Sequence, residues 1–304
     1  MAKSVDEALA HARIAGEDCT YSGGGTDLHV YRKQELSTKS NIIDMSEIPE
    51  LRRIETNGDV LRIGSMVTLD ELIGSSVVQE FCPMIADAAR SVATPVIRMS
   101  ATVGGNLLVA NRCTFYNQSQ FWRESVGSCL RDVGDTCLIT KGRDKCFSRN
   151  VSDLAPAFIA LGATIEIRTE TELESMALEK MYTGDGIRIH SHGGSSAILT
   201  AVSFTMRPNR WFFRKLRRRQ SLDFASLSVA AAVSVDNRAR ICLNGVSMAP
   251  ILLEFDLAAV GLADIQKQAR RACKTVDNDL LPLKYRREMM DAYLAEFYHS
   301  VNGT

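Results

Sequence analysis

Apolar residues recur at helical spacing through residues 4–15 (SVDEALAHARIA), where Ser4 and Glu7 form a capping box that predicts a first helix. A short β run then starts at Cys19 and breaks into Gly23, Gly24 and Gly25 followed by Thr26 and Asp27, with a second strand-like piece at 41–45. Residues 60–64 (VLRIG) alternate as a strand. Thr68, with Glu71 three positions on, opens a helix through 73, and 81–93 reads as one mostly apolar helix that stops before Pro95. A second glycine turn follows at 99–107 (MSATVGGNL). Residues 151–161 predict a helix capped by Ser152 or Asp153, and 163–168 a strand. Residues 171–181 predict a charged surface helix or loop, Gly184, Gly186, Gly193 and Gly194 punctuate a loop, and 197–204 (AILTAVSF) is a strand. Past Pro208 the pattern predicts a basic strand (FFRKLRRR), a small-residue helix (FASLSVAAAVSV), a turn (ARICLNGVS), a helical run over 257–272 and an amphipathic terminal helix over 285–297. The class is α+β, divided into a unit over 1–205, with an insertion at 108–150, and a second unit over 206–304.

Composition narrows the function. The 304 residues are 45% hydrophobic and 24% charged, ordinary for a globular protein that needs no staples. Lys+Arg and Asp+Glu are equal at 36 each, which argues against a nucleic-acid binder working by whole-surface attraction. The N-terminal stretch lacks the pattern of a signal peptide and no run of about 18 apolar residues occurs, so a cytoplasmic protein with no membrane association is expected. In such a compartment the eight cysteines are expected as thiols or metal ligands rather than disulfides.

Two features carry candidate chemistry. A glycine turn can present several backbone N–H groups to an anion, and two turns of the form small-Gly-Gly-polar suit a dinucleotide pyrophosphate held from two sides. Taken alone, an isolated GGG is more often a tight turn at a strand end. Neither turn is G-x-G-x-x-G opening a helix, which disfavours a Rossmann site. The second feature is the set Cys113, Cys129, Cys137 and Cys146, spaced C-x15-C-x7-C-x8-C inside the polar insertion. That spacing leaves a [4Fe–4S] cluster, a tetrahedral zinc and unliganded cysteines open. Cys19, Cys82, Cys242 and Cys273 sit among apolar neighbours and read as buried small hydrophobes. His190 and His192 read as exposed loop histidines, and the basic run 210–219 as a solvated strand face or a docking strip. Trp122 and Tyr116 read equally as packing for a thin loop or as a shield of a cluster or flavin from water. No triad or carboxylate pair stands out, so no catalytic residue is assigned.

Taken in order, SGGGTDL, SATVGGNL, VSDLAPAFIALGA, AILTAVSF, FRKLRRRQSLDFASLSVAAAV and KYRREM resemble the FAD-binding medium subunit of the molybdenum hydroxylase (xanthine dehydrogenase) family along almost the whole chain. Gly23 stands where that family usually has Ala, and Met99 where Asn is common. The insertion is similar to the extra loop of the β subunit of 4-hydroxybenzoyl-CoA reductases, and all four cysteines match in position. The resemblance implies an FAD-binding domain of the vanillyl-alcohol-oxidase (PCMH) type in two subdomains, followed by a C-terminal α+β domain like that of carbon monoxide dehydrogenase flavoprotein. By carry-over, Ser22, Gly23, Gly24, Gly25, Thr26, Asp27 and Leu28 with Thr102, Val103, Gly104, Gly105 and Asn106 are expected around the FAD pyrophosphate. Asp153 and the Leu199 backbone are expected toward the ribityl chain and isoalloxazine, with Lys215 near the ring, and Cys113, Cys129, Cys137 and Cys146 on a [4Fe–4S] cluster.

The implied activity is an electron-transfer subunit of an oxidoreductase, since flavin passes electrons in ones or twos and a cluster one at a time. Its implied partners are a large subunit with the molybdenum cofactor, a small subunit with two [2Fe–2S] clusters, and ferredoxin or a similar carrier, in a dimer of heterotrimers. Two alternatives stand beside this: the flavin subunit of another molybdenum hydroxylase acting on a purine, nicotinate or other aromatic substrate, and a non-catalytic zinc-stabilised assembly module.

Overall fold

The computed structural model describes every residue except Gly193, Met206 and Thr304; the expected glycine punctuation at 193 therefore lies outside the described residues. The first helix, Val5–Ala15, is N-capped by the Ser4 hydroxyl, which accepts from the Glu7 amide at 3.1 Å. It covers a two-stranded parallel sheet of β1 (Cys19–Ser22) and β2 (Asn41–Asp44). Ala8, Leu9 and Ala12 pack there with Ile43, Ile48 and Met66.

A five-stranded antiparallel sheet follows. Its strands are β3 (Ile54–Asn57), β4 (Val60–Gly64), β5 (Thr164–Thr169), β6 (Leu173–Ala177) and β7 (Ala197–Phe204), in the spatial order β3-β4-β7-β5-β6. β6 occupies 173–177, where a charged helix or loop is expected. It is an edge strand whose Leu173 and Met176 fall on opposite faces with Leu173 exposed, so it shows no apolar face in sequence. The apolar run 81–93 is split: Cys82 is extended at φ −159, and Pro83 starts a second helix, Pro83–Arg90, at the position where a missing N–H costs nothing.

The C-terminal third forms a four-stranded antiparallel sheet, β11-β10-β9-β8, from β8 (Arg210–Leu216), β9 (Leu227–Val233), β10 (Arg238–Asn244) and β11 (Ile251–Asp256). Helices Leu262–Ala272 and Leu283–Asn302 cover one face. The sequence pattern predicts a helix over β9 and a turn over β10, and both are strands. Leu227, Val229, Ala231 and Val233 of β9 face those two helices, whereas Ala230 and Ala232 face the core that contains helix Leu154–Ala160. A strand covered on both sides shows no polar alternation, and its small residues let the covering layers approach. Burial on both faces outweighs the helix propensity of alanine.

Candidate functional site

A cavity of about 770 Å³ lies between the β1–β2 unit and the five-stranded sheet. Both glycine turns line it. In the first, a Cβ on Gly24 would sit 1.7 Å from the Ser100 carbonyl oxygen, so only glycine lets the two turns lock backbone to backbone. In the second, Thr102 caps the helix Val103–Leu107, its hydroxyl accepting from the Gly105 amide at 3.1 Å. Behind this helix, Asn106 Oδ1 accepts from the Ser152 hydroxyl at 2.9 Å and the Leu154 amide at 3.0 Å, which fastens the turn to helix Leu154–Ala160. A β-bulge between β5 and β7 skips Thr200 and brings Leu199 to the cavity wall.

Most of the residues expected around a dinucleotide meet here. Ser22 through Leu28, Thr102, Gly104, Gly105, Asn106, Asp153 and Leu199 line the one cavity. Val103 and Lys215 do not. The Val103 side chain is fully buried in the core, leaving only its backbone near the turn. Lys215 stands behind the cavity, where its Nζ donates to Asp153 Oδ2 at 2.7 Å and to the Ser91 carbonyl at 3.0 Å. Burial pushes the Asp153 carboxyl above the usual carboxylate range, with the Lys215 ammonium working against that rise.

Three sealed polar atoms on the cavity wall have no hydrogen-bond partner among the described residues: Ser65 Oγ, Asp153 Oδ1 and His190 Nε2. Buried polar groups normally find partners, so these three fit a ligand that brings hydroxyl and ring-nitrogen chemistry to the wall, as FAD does. His190 was expected as an exposed loop residue. Instead its ring packs 5.6 Å from Tyr182, and burial lowers its pKa to about 4, so it stands neutral in the wall. Gly and Ser neighbours in sequence concealed this, because the loop 183–190 folds back against the cavity through the Tyr182–His190 bridge. His192, also lining the cavity, pairs with Glu174 at 3.0 Å.

The insertion is closed at its base by a reciprocal pair of backbone bonds between Arg112 and Arg149, at 2.8 and 2.9 Å. Inside it, Cys113, Cys129, Cys137 and Cys146 line one small apolar pocket with Phe115, Tyr116, Leu130, Leu138, Ile139 and Phe147. All eight cysteines of the chain are free thiols. Backbone N–H groups of Phe115 and Tyr116 point at the Cys113 sulfur, and the Ser148 amide and hydroxyl at that of Cys146; burial nonetheless pushes both thiols up. At Cys137 burial also raises the pKa, but the Thr140 hydroxyl and the Thr140, Ile139 and Phe147 amides outweigh it and the thiol falls below its ordinary value. Gly186 backs the pocket: a Cβ there would meet the Cys146 carbonyl oxygen at 2.3 Å and its sulfur at 2.9 Å. Tyr116 lies under the Arg131 guanidinium at 4.2 Å, while Trp122 packs on Phe115 at 6.1 Å. Among the described residues, no three His, Cys, Asp or Glu side chains converge as a single metal ion requires.

The basic run of β8 and its extension is largely consumed inside the chain. Arg210 reaches the Val301 carbonyl, Arg214 pairs with Glu296, Lys215 with Asp153, and Arg219 with Asp223, while Arg217 donates to the Ser91 carbonyl at 2.7 Å. Arg214, Arg218 and Arg219 stay exposed, so part of the run remains on the solvated surface.

Comparison with known proteins matches residues 1–204 to the family described as the FAD binding domain in molybdopterin dehydrogenase. The chain is 29% identical over 260 residues to the aldehyde oxidoreductase FAD-binding subunit PaoB of Escherichia coli (strain K12), covering 82% of this chain and 81% of that protein. It is 25% identical over 233 residues to the nicotine 6-hydroxylase medium subunit of Paenarthrobacter nicotinovorans, covering 75% and 68%. A solved chain of carbon monoxide dehydrogenase from Hydrogenophaga pseudoflava shares the fold, with TM-score 0.75 over 97% of this chain and 93% of that one at 20% identity. The chain thus belongs to the family of FAD-binding domains of molybdopterin dehydrogenases, and it is the FAD-binding subunit of an oxidoreductase in the molybdenum hydroxylase family.

Proposed function

We propose that this subunit is an electron relay that holds FAD in the large cavity and a [4Fe–4S] cluster in the cysteine pocket, in an enzyme of the 4-hydroxybenzoyl-CoA reductase type. The observation that carries this reading is the gathering of four thiols, distant in sequence, around one pocket whose base is joined to the wall of the cofactor cavity. Four thiols sharing one pocket suit a [4Fe–4S] cluster or a zinc ion, and the match in position of all four cysteines to the iron–sulfur loop of the reductase type favours the cluster. Bound FAD supplies one- and two-electron exchange, and a cluster supplies one-electron transfer.

The chain's own contributions follow from the geometry. Residues 23–27 offer backbone N–H groups to the pyrophosphate, while the amides of 103–106 are spent on the Val67 and Ser65 carbonyls and on Thr102, so the second turn shapes the cradle rather than donating to it. Asp153 Oδ1, Ser65 Oγ and neutral His190 take up polar atoms of the ligand, and Lys215 acts through Asp153. N–H groups aimed at Cys113, Cys137 and Cys146 stabilise the thiolate form that binds iron. Partners in this reading are a large molybdenum-cofactor subunit, a small subunit with two [2Fe–2S] clusters and ferredoxin or a similar carrier, in a cytoplasmic dimer of heterotrimers. Among the described residues no helix is long and apolar enough to cross a membrane.

A wider reading has its own support: the relatives reported above are an aldehyde oxidoreductase subunit and a nicotine hydroxylase subunit, so another molybdenum hydroxylase fits the chain equally at the level of FAD. Reduction of the assembled complex by ferredoxin separates the two. In the reductase reading, Cys137→Ser slows that reduction at least tenfold while chemical reduction of the flavin is unaffected. An unchanged rate rejects the cluster as the entry port.

A further inference from the structure

The helix Leu28–Lys33 directly follows the first glycine turn, yet it buries none of its residues and none joins a core cluster among the described residues. What holds it comes from the cysteine insertion. Arg112, next to Cys113, forms an ion pair with Asp27 at the end of the glycine turn, and its guanidinium lies between the rings of Tyr31 (4.8 Å) and Phe224 (4.4 Å). Asn117 ties the same helix to a cysteine: its Oδ1 accepts from the Cys113 amide at 2.9 Å, and its Nδ2 donates to the Tyr31 hydroxyl at 3.2 Å. Arg123, buried inside the insertion, donates to the carbonyls of Gln34 (2.9 Å) and Glu35 (3.4 Å) at the helix's far end.

We propose that the cysteine insertion is the clamp that positions the pyrophosphate turn, so that FAD binding and ordering of the cysteine pocket strengthen each other through Arg112, Asn117 and Arg123. The inference rests on the assignment of FAD to the large cavity. The turn is locked on one side against residues 100–102 and runs on the other into this helix, which has no core of its own and takes its order from whatever grips it. Filling the cysteine pocket fixes Cys113 and with it Arg112 and Asn117; an anion on residues 23–27 fixes Asp27 and the helix, and so returns order to the insertion. Such coupling is reciprocal by thermodynamic necessity. Arg123 and Asn117 do not line the FAD cavity, so any effect of theirs on FAD is transmitted. They are positioning residues.

The test uses the full chain with its cysteines as isolated, titrated with FAD by quenching of flavin fluorescence, and hydrogen exchange of the amides at 113–146 with and without FAD. Expected are a FAD dissociation constant raised at least fivefold by Asn117→Ala and by Arg123→Gln, and slower exchange in the insertion once FAD is added to the parent chain. Asn117→Ala deletes a half-buried side chain, so it remains informative if Arg123→Gln fails to fold. Affinity within twofold of the parent in Asn117→Ala, with insertion exchange blind to FAD, overturns the clamp while leaving FAD binding in place. A parent chain that binds no FAD overturns both the clamp and the assignment beneath it.

Discussion

The buried pair of Asp153 and Lys215 joins β8 to the start of helix Leu154–Ala160, and its side chains are only 4% and 3% exposed. Replacing Lys215 with Met keeps volume and stem packing but leaves the Asp153 carboxylate without its ammonium. Removing one member of a buried pair costs about 3–5 kcal/mol. The Ser91 carbonyl that Lys215 also serves keeps its bond from Arg217, so the loss falls on Asp153 alone and the range stands as given. In a chain of this size that lowers the midpoint by roughly 6–10 °C.

The pH dependence has a definite sign. Burial already holds the folded Asp153 pKa above its ordinary value, so this carboxyl favours the folded state below that pKa and loses its contribution as pH rises through it. Without Lys215 the folded pKa rises further. The gap between parent and Lys215→Met is therefore widest near neutral pH and narrows as the pH falls toward the point where the variant's Asp153 takes a proton. Adding Asp153→Asn recovers most of the loss at neutral pH. Differential scanning calorimetry of the parent and the two variants across pH 5 to 8 decides it. A loss below about 1 kcal/mol, or a gap that does not change with pH, refutes the buried-pair argument.

The glycine contacts make sharper local predictions. Gly24→Ala forces the two turns apart, because its Cβ meets backbone rather than a yielding side chain; at least a hundredfold loss of FAD affinity is expected in a fluorescence titration. Gly186→Ala presses on Cys146 and is expected to lower iron content per chain and, through the clamp, to weaken FAD binding, both measured on the same preparation. His190→Phe fills the wall but supplies no ring nitrogen, so a weaker FAD complex is expected at every pH from 6 to 8, with no titration in that range because His190 is already neutral.

How much of this could be read beforehand depended on whether a residue's surroundings were local. The two glycine turns were legible as turns because close backbone approach, here of Gly24 to Ser100, demands small residues in sequence, and helices with caps such as Thr68–Glu71 were visible because their signals are equally local. β9 was not, since LSVAAAV has the composition of a helix and only two covering layers, distant in sequence, make it a strand. His190 and Lys215 show the same limit at the site: one was drawn inward by a loop closure, and the other was set one step back from the cavity by Asp153 and Ser91. Arg112 carried no signal at all, because its role arises from Asp27, Tyr31 and Phe224, which meet only in the fold.

The central claim, a flavin and an iron–sulfur cluster in one subunit, is tested most directly by the visible spectrum of the purified chain with its FAD, iron and acid-labile sulfide content. The account predicts flavin bands on a broad iron–sulfur shoulder, with about one FAD and about four iron and four sulfide per chain. A colourless protein whose cysteines hold zinc, or a flavoprotein free of iron and sulfide after anaerobic purification, contradicts it.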